Sequence, residues 1–320
     1  MDTADALPVT VVVPTCNRGD SIVKTVETIL LNDYPYFELR IVDQSEDDLT
    51  EASLRPLVSN PRIGYIRTAT KGISIGLNIG ISCAQSEFIA ITGDDCEVDK
   101  NWLRELLHAF ALDRRIGIVF GNVLPCPHDS RAGFVPAYVR DNAFLARTIN
   151  EKHRLGGTSA CMGIRRSMWQ VLDGFDPMLG VGAPLKAAED TDLAMRALLS
   201  GYFICETPRV TVTHHGLYKR EQRETVLHNY WYGTGAALVK SLKRGHWSIV
   251  LVLLRLAWGW LFGSSCIAAS LGDHPHRLSR LAAFVRGFAV GALRPVDRTT
   301  GHYGPHRNDS EAFSAIKRST

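Results

Sequence analysis

Along the first half of the chain, short runs of β-branched and other apolar residues alternate with stretches whose apolar positions recur at helical spacing. That alternation predicts an α/β fold, a mainly parallel sheet with crossover helices. Val9–Val13 is the first such run, stopped by Pro14, and Ile22, Val23, Val26, Ile29 and Leu30 then give an amphipathic helix over Asp20–Leu31. Leu39–Val42, ending at Asp43, and Ile63–Ile66 predict the second and third strands, and Ile75–Ala84 a helix broken by glycines. Phe88–Thr92 predicts a fourth strand running into Gly93, Asp94 and Asp95. A helix over about Lys100–Leu112, capped by Asp99, and a strand over Ile116–Val123 follow.

The periodicity then lapses. Leu124–Arg154 carries Pro125, Pro127 and Pro136 and no clear period, so it predicts an irregular loop or lid, the kind of long segment that is usually functional or mobile. Beyond it come a strand near Thr158–Ile164, a short helix from Ser167, a glycine-rich turn over Leu179–Pro184 and a helix starting near Glu189. Two short strands, Tyr202–Cys205 and Val210–Thr213, lead to His214 and His215.

The tail differs in kind. Trp247–Leu271 is almost wholly apolar with Arg255 as its one charge, long enough to span a bilayer although an arginine near the middle is costly there; an in-plane or protein-packed orientation is equally open. Leu278, Leu281, Val285, Phe288 and Ala292 then mark one helical face bordered by Arg277, Arg280, Arg286 and Arg294, a basic amphipathic helix suited to an anionic membrane surface.

Composition narrows the classes. With 320 residues, 45% of them hydrophobic and 22% charged, the chain can bury one full core and carry an appendage. A net charge of +3, spread thinly, argues against nucleic acid as a partner. Seven cysteines without a CxxC pair exclude a zinc framework and fit a reducing setting. The opening MDTADALPVT has neither the basic start nor the apolar core of a secretion signal.

In an open parallel sheet, ligands bind beyond the carboxyl ends of the strands, and polar residues gather there in this sequence. The first strand runs into Pro14, Thr15, Cys16, Asn17 and Arg18, the second into Asp43, Gln44 and Ser45, and the fourth into Asp94 and Asp95. With Asp99 assigned to the helix cap, the paired acids have no capping duty. Adjacent carboxylates suit a hard divalent cation that neutralises a diphosphate, Asp43 suits a base or ribose, and Arg18 and Lys71 are the nearest phosphate contacts. Glu189, Asp190 and Asp192 also fit the simpler role of acids favoured by a helix dipole.

These residues, in this order, resemble the family 2 glycosyltransferases of GT-A fold. The likeness runs from about Val9 to Gly235 through VTVVVPTCNR, IVDQS, KGISIGLNIGI, ITGDDC before NWL, LDGFD, GVGAPLKAAEDTDLAMRAL and YWYGTG. The resemblance implies donor-binding residues at Pro14, Thr15, Arg18, Asp43, Lys71, Asn78 and Asp94, and a divalent metal, Mn2+ or Mg2+, on Asp95 and His214, with His215 the competing ligand. It implies Asp190 as catalytic base, with Glu189 and Gly182 on the acceptor side. Gly93 departs from the pattern, standing where such enzymes often place the first acid.

The implied protein is an inverting glycosyltransferase that moves a sugar from a UDP-, dTDP- or GDP-sugar to a saccharide or lipid-linked acceptor. The setting implied is polysaccharide or glycolipid synthesis at the cytoplasmic face of the cell membrane. Its catalytic domain would occupy residues 1–245, divided into donor (1–123) and acceptor (124–245) parts, followed by a helical membrane-associating tail (246–296) and a disordered C-terminus (297–320). The rival readings are a sugar-phosphate nucleotidyltransferase, for which PTCNRGDS is a poor phosphate loop, and a noncatalytic membrane-anchored nucleotide-sugar-binding module. A processive synthase is disfavoured by the lack of a QxxRW motif.

Overall fold

The computed structural model describes residues 7–262 and 277–304. Strands β1 (Val9–Thr15), β2 (Phe37–Asp43), β3 (Ile63–Arg67) and β4 (Phe88–Thr92) lie parallel in the order β3-β2-β1-β4. Every residue of β1 is buried, as a continuous apolar run between two helix-covered faces requires. Pro14 does not stop β1. The pairing with β4 ends at Val12 and Ile91, so the missing N–H of Pro14 costs no ladder bond on that side.

Helices α1 (Ser21–Leu30), α2 (Leu49–Leu54) and α3 (Ile73–Ser82) fill the connections. The glycines do not break α3. A side chain on Gly80 would come within 2.4 Å of Val12 Cγ1, so the glycine is what lets the helix lie on β1. After β4 a short strand, β5 (Cys96–Val98), leads to α4 (Trp102–Ala111), where Asp99 accepts the Asn101 N–H at 2.9 Å just ahead of the helix.

The second half completes one nine-stranded sheet. Strand β9 (Cys161–Arg165) inserts antiparallel between β4 and β6 (Ile116–Pro125) and so welds the two halves together. The two expected strands around Pro208 are one, β10 (Phe203–His214), parallel to β6 with an irregularity between Glu206 and Thr211. Its last three residues pair antiparallel with β5, bringing His214 beside Cys96.

The segment expected to be a lid is largely built into the fold. It contains β7 (Gly133–Phe134), β8 (Phe144–Ala146) paired to β10, and a 3-10 turn, Ile149–Arg154. Asn122 holds Arg140 through both its backbone groups, at 2.9 and 3.1 Å, and the Arg140 guanidinium meets buried Glu206 at 2.6 Å. Strand β11 (Tyr218–Lys219) pairs with β7 in a small second sheet.

Helices α5 (Arg166–Val171), α6 (Glu189–Leu199), α7 (Gln222–Lys243), α8 (Ile249–Phe262) and α9 (Arg277–Leu293) finish the chain. Among the described residues no helix is long and apolar enough to cross a membrane. The part of the expected apolar segment beyond 262 lies outside the described residues. Arg255 donates to the Asn150 carbonyl, so its charge is docked against the 3-10 turn. On α9 the buried face is Ala283, Phe284, Gly287 and Gly291 against α7, where a side chain on Gly287 would strike the Tyr232 carbonyl. Leu278, Leu281 and Val285 are left exposed. The expected disordered C-terminus does not begin at 297: Tyr303 is buried, and its hydroxyl donates to the Ala236 carbonyl at 2.6 Å. Residues 305–320 lie outside the described residues.

Candidate active site

The carboxyl ends of β1, β2 and β4 place the donor-side residues together. Asp43 is fully buried at the end of β2, its Oδ1 accepting the Ser45 N–H at 2.8 Å and its Oδ2 the Tyr65 hydroxyl at 2.5 Å. Each oxygen keeps a lone pair for a further donor. Lys71 reaches back to donate to the Gln44 carbonyl and lies 3.4 Å from Glu46, so it borders the same strand ends. Asn78 does not belong here. Its amide oxygen accepts from Trp169 Nε1 and the Phe175 N–H, and its Nδ2 donates to the Phe175 carbonyl, a tie between α3 and the turn before α6. Gly182, expected beside the acceptor, packs against Gly72 instead: at φ +82°, a side chain on it would lie 3.1 Å from Gly72 Cα.

Arg18, expected at a phosphate, spans both acids of the turn after β4, with Nε 3.1 Å from Asp94 Oδ1 and Nη2 3.1 Å from Asp95 Oδ2. Burial pushes the Asp94 carboxyl up against the opposing pull of Arg18, while Thr15 and the Cys16 N–H also help to hold it ionised. Burial acts the same way on Asp95, but His214 and Arg18 outweigh it and leave that carboxyl below its ordinary range.

Asp95 and His214 are brought together by the pairing of β5 with β10. His214 Nε2 lies 3.2 Å from Asp95 Oδ1, and its Nδ1 bonds the Pro136 carbonyl at 2.9 Å, which fixes the ring with Nε2 toward the acid. His215 meets Glu97 at 2.9 Å, and both border the cavity that Arg18 and Asp95 also line, so the two histidines face different acids. Asp95, His214 and Cys96 offer ligand atoms within 4.8 Å of one another, although burial holds the Cys96 thiol protonated. A carboxylate and an oriented imidazole are a donor pair that suits a divalent cation such as Mn2+. A side chain on Gly216 would come within 2.7 Å of Asp95 Oδ2 and 2.8 Å of His214 Nε2, so the space in front of the pair needs that glycine. Gly93 has a related reason, since a Cβ there would sit 3.1 Å from Asp95 Oδ1.

The Asp95–His214 pair stands between two cavities. One, of about 540 Å3, is bounded by Arg18, Lys24, Asp95, Tyr218 and Gln222. The other, of about 170 Å3, is bounded by Tyr138, Lys152, Asp190, His214 and Tyr230. Asp190 thus faces the same space as the histidine. It lies in the first turn of α6, entered through Ala188 at a left-handed φ of 73°. Its Oδ1 accepts the Thr191 N–H at 2.5 Å and its Oδ2 the Ser159 N–H at 3.3 Å. Neighbouring Glu189 accepts the Ser159 hydroxyl at 3.0 Å. Burial raises both carboxyls, Glu189 to about 8, and Asp190 is the one with Lys152 and two N–H groups favouring its charge.

Asp192, expected to serve only the helix dipole, is instead at the centre of a buried ion cluster. It meets Arg196 Nε at 2.8 Å and Lys240 Nζ at 2.8 Å, and Lys240 also meets Asp176 at 2.5 Å. The Tyr303 N–H closes the cluster on Asp176 at 2.9 Å. Sequence reasoning missed Lys152, Ser159, Gly216 and Tyr218. Gly216 was in plain view beside the histidines and Ser159 at the start of an expected strand, whereas Lys152 sits in the segment without periodicity.

A sheet that gathers acids at its strand ends and opposes them to a buried acid on a later helix is the layout of a GT-A glycosyltransferase fold. The sequence pattern described as Glycosyl transferase family 2 matches residues 10–172, about half of the chain, and the chain belongs to that family. An uncharacterized protein of Mycobacterium tuberculosis is 29% identical over 209 residues, covering 61% of this chain and 75% of its own length. The mannosyltransferase PcManGT from Pyrobaculum calidifontis, solved with GDP-Man and Mn2+, is similar in fold, with a TM-score of 0.60 at 19% identity over 90% of this chain and 87% of that one. GalNAc-T7, solved with UDP, GalNAc and Mn2+, gives 0.53 at 19% identity over 72% of this chain and 48% of its own.

Proposed function

We propose that this protein transfers a sugar, with inversion, from a nucleoside diphosphate donor to a hydroxyl of a saccharide or lipid-linked acceptor. The observation that carries the proposal is the cavity bounded by both His214 and Asp190, with His214 also 3.2 Å from Asp95 at the end of the donor-side strands. Asp190 removes the proton of the acceptor hydroxyl, whose oxygen bonds to the anomeric carbon as the bond to the diphosphate breaks on the opposite face. Asp95 and His214 would hold Mn2+ or Mg2+, which supplies positive charge against the departing diphosphate. Arg18, released from the acids, contacts the same phosphates.

The family membership and the Mn2+-containing neighbours favour this reading. The exposed Leu278, Leu281 and Val285 of α9, beside an entirely apolar cavity shared with α8, favour a membrane surface as the place of action. The test is nucleoside diphosphate release from UDP-, dTDP- and GDP-sugars with Mn2+, Mg2+ or chelator, for the wild type and Asp95→Ala, with the product anomer read by NMR. Release that needs the cation, fails in Asp95→Ala and gives the inverted anomer is expected. Full turnover in chelator, or a retained anomer, would overturn the proposal.

A further inference from the structure

Among the buried charges near Asp190, one has no use in the chemistry above. Lys152, on the 3-10 turn Ile149–Arg154, is only 9% exposed and lies in the wall of the cavity that Asp190 also bounds. No hydrogen bond or ion pair to its ammonium is found among the described residues, which is an unusual condition for a lysine so deeply placed. The three ammonium hydrogens thus have no fixed acceptor; burial lowers the Lys152 pKa, and the charges of Asp190 and Glu206 oppose that and favour the ammonium form.

Among the described residues, Lys152 is the one lysine or arginine in the wall of the cavity that Asp190 bounds. From its own helix comes Glu189, an acid that repels its charge. From the turn before β9 the Ser159 N–H donates to Asp190, while its hydroxyl donates to Glu189. From α7 comes Tyr230, half-buried and neutral, and from β10 come His214 on the cavity wall and Glu206, whose charge is met by Arg140 and the N–H groups of Gly156 and Gly157. The cations further along α6 and α7, Arg196 and Lys240, are committed to Asp192 and Asp176.

We propose that Lys152 is a positioning residue for the proposed base: its buried ammonium, in the wall of the same cavity, keeps Asp190 as the ionised member of the Glu189–Asp190 pair. Two adjacent buried carboxyls share a strong tendency to hold protons, and a base must enter the reaction without one. The positive charge decides which carboxyl gives up its proton, and leaves Glu189 to keep its own. This rests on the assignment of Asp190 in the proposed function, but its test does not.

The experiment follows the Asp190 carboxyl carbon by NMR in protein labelled at aspartate, as a function of pH and without donor or acceptor, with Asp190→Asn to assign the signal. Lys152→Met, Lys152→Gln and Lys152→Arg are compared with the wild type. In Lys152→Met the Asp190 midpoint should rise by at least one pH unit, a tenfold gain in proton affinity, and Lys152→Arg should restore it. Lys152→Gln should behave as Lys152→Met, and decides the matter if the methionine variant does not fold. The acid limb of donor hydrolysis should move upward by the same amount. A midpoint unchanged in the neutral variants overturns the proposal and leaves Lys152 as an acceptor contact at most. A shifted midpoint in a protein that transfers no sugar upholds it and overturns the function instead.

Discussion

Replacing Asp190 and Asp192 by asparagine, one at a time, should damage the protein in opposite ways although the two acids sit on the same turn of α6. Asparagine at 190 keeps an oxygen for the Thr191 N–H and removes a charge that burial penalises, while Lys152 loses its counter-charge; these effects oppose, and the melting temperature should move by only a few degrees. Loss of a general base costs ~10²- to 10⁴-fold in rate, about 3–5 kcal/mol of barrier. Asparagine at 192 strips one carboxylate from two buried cations, Lys240 at 1% and Arg196 at 3% side-chain exposure. Uncompensated buried charge of that kind costs ~3–5 kcal/mol, which at roughly 2–4 °C per kcal/mol lowers the melting temperature by on the order of 10 °C. The assays are differential scanning calorimetry and nucleoside diphosphate release normalised to folded protein. Near-normal transfer by Asp190→Asn, or an unshifted melting temperature for Asp192→Asn, would refute the division of labour between the two acids.

Other expectations can be checked separately. His214→Ala should weaken Mn2+ binding at least tenfold by calorimetry while His215→Ala, whose ring lies against Glu97, changes it less than twofold; the reverse ranking would reassign the ligand. Burial, and then the neighbouring Asp190, push the Glu189 carboxyl well above its ordinary range, so above that range the unfolded chain binds fewer protons than the folded one and stability falls as pH rises. Glu189→Gln should remove that slope, ~1.4 kcal/mol per pH unit, in urea titrations from pH 5 to 8, and parallel curves for variant and wild type would contradict it. Leu281→Glu with Val285→Glu should reduce co-sedimentation with anionic vesicles without lowering the melting temperature, because both side chains are already exposed; unchanged sedimentation would argue against α9 as the contact.

The strand ends were legible because a buried parallel strand must be a continuous apolar run, and polar residues after it stand out. Asp43, Asp94 and Asp95 were located that way. Asn78 was misjudged because a helix position says nothing of which partner consumes its amide, and Phe175 lies far away in sequence. The face of α9 was read by its large residues, yet the packed face is marked by Gly287 and Gly291, whose smallness carries no hydrophobic signal but permits close approach to α7. Two apparent strands merged into β10 because Pro208 lies in an irregularity that the neighbouring strand accommodates. Asp192 looked like a dipole-favoured acid until Lys240, one helix further on, was found beside it.

The hydrogen bond from the Tyr303 N–H to Asp176 joins positions 127 residues apart and completes the charge cluster that includes Asp192. During synthesis, the helix bearing Asp190 leaves the ribosome well before the residue that closes this cluster. A nascent chain therefore holds Asp176 without this donor until the segment bearing Tyr303 arrives. The molecule has a built-in order of maturation: the charge cluster beneath the helix bearing Asp190 is completed only once the residues around position 303 are in place.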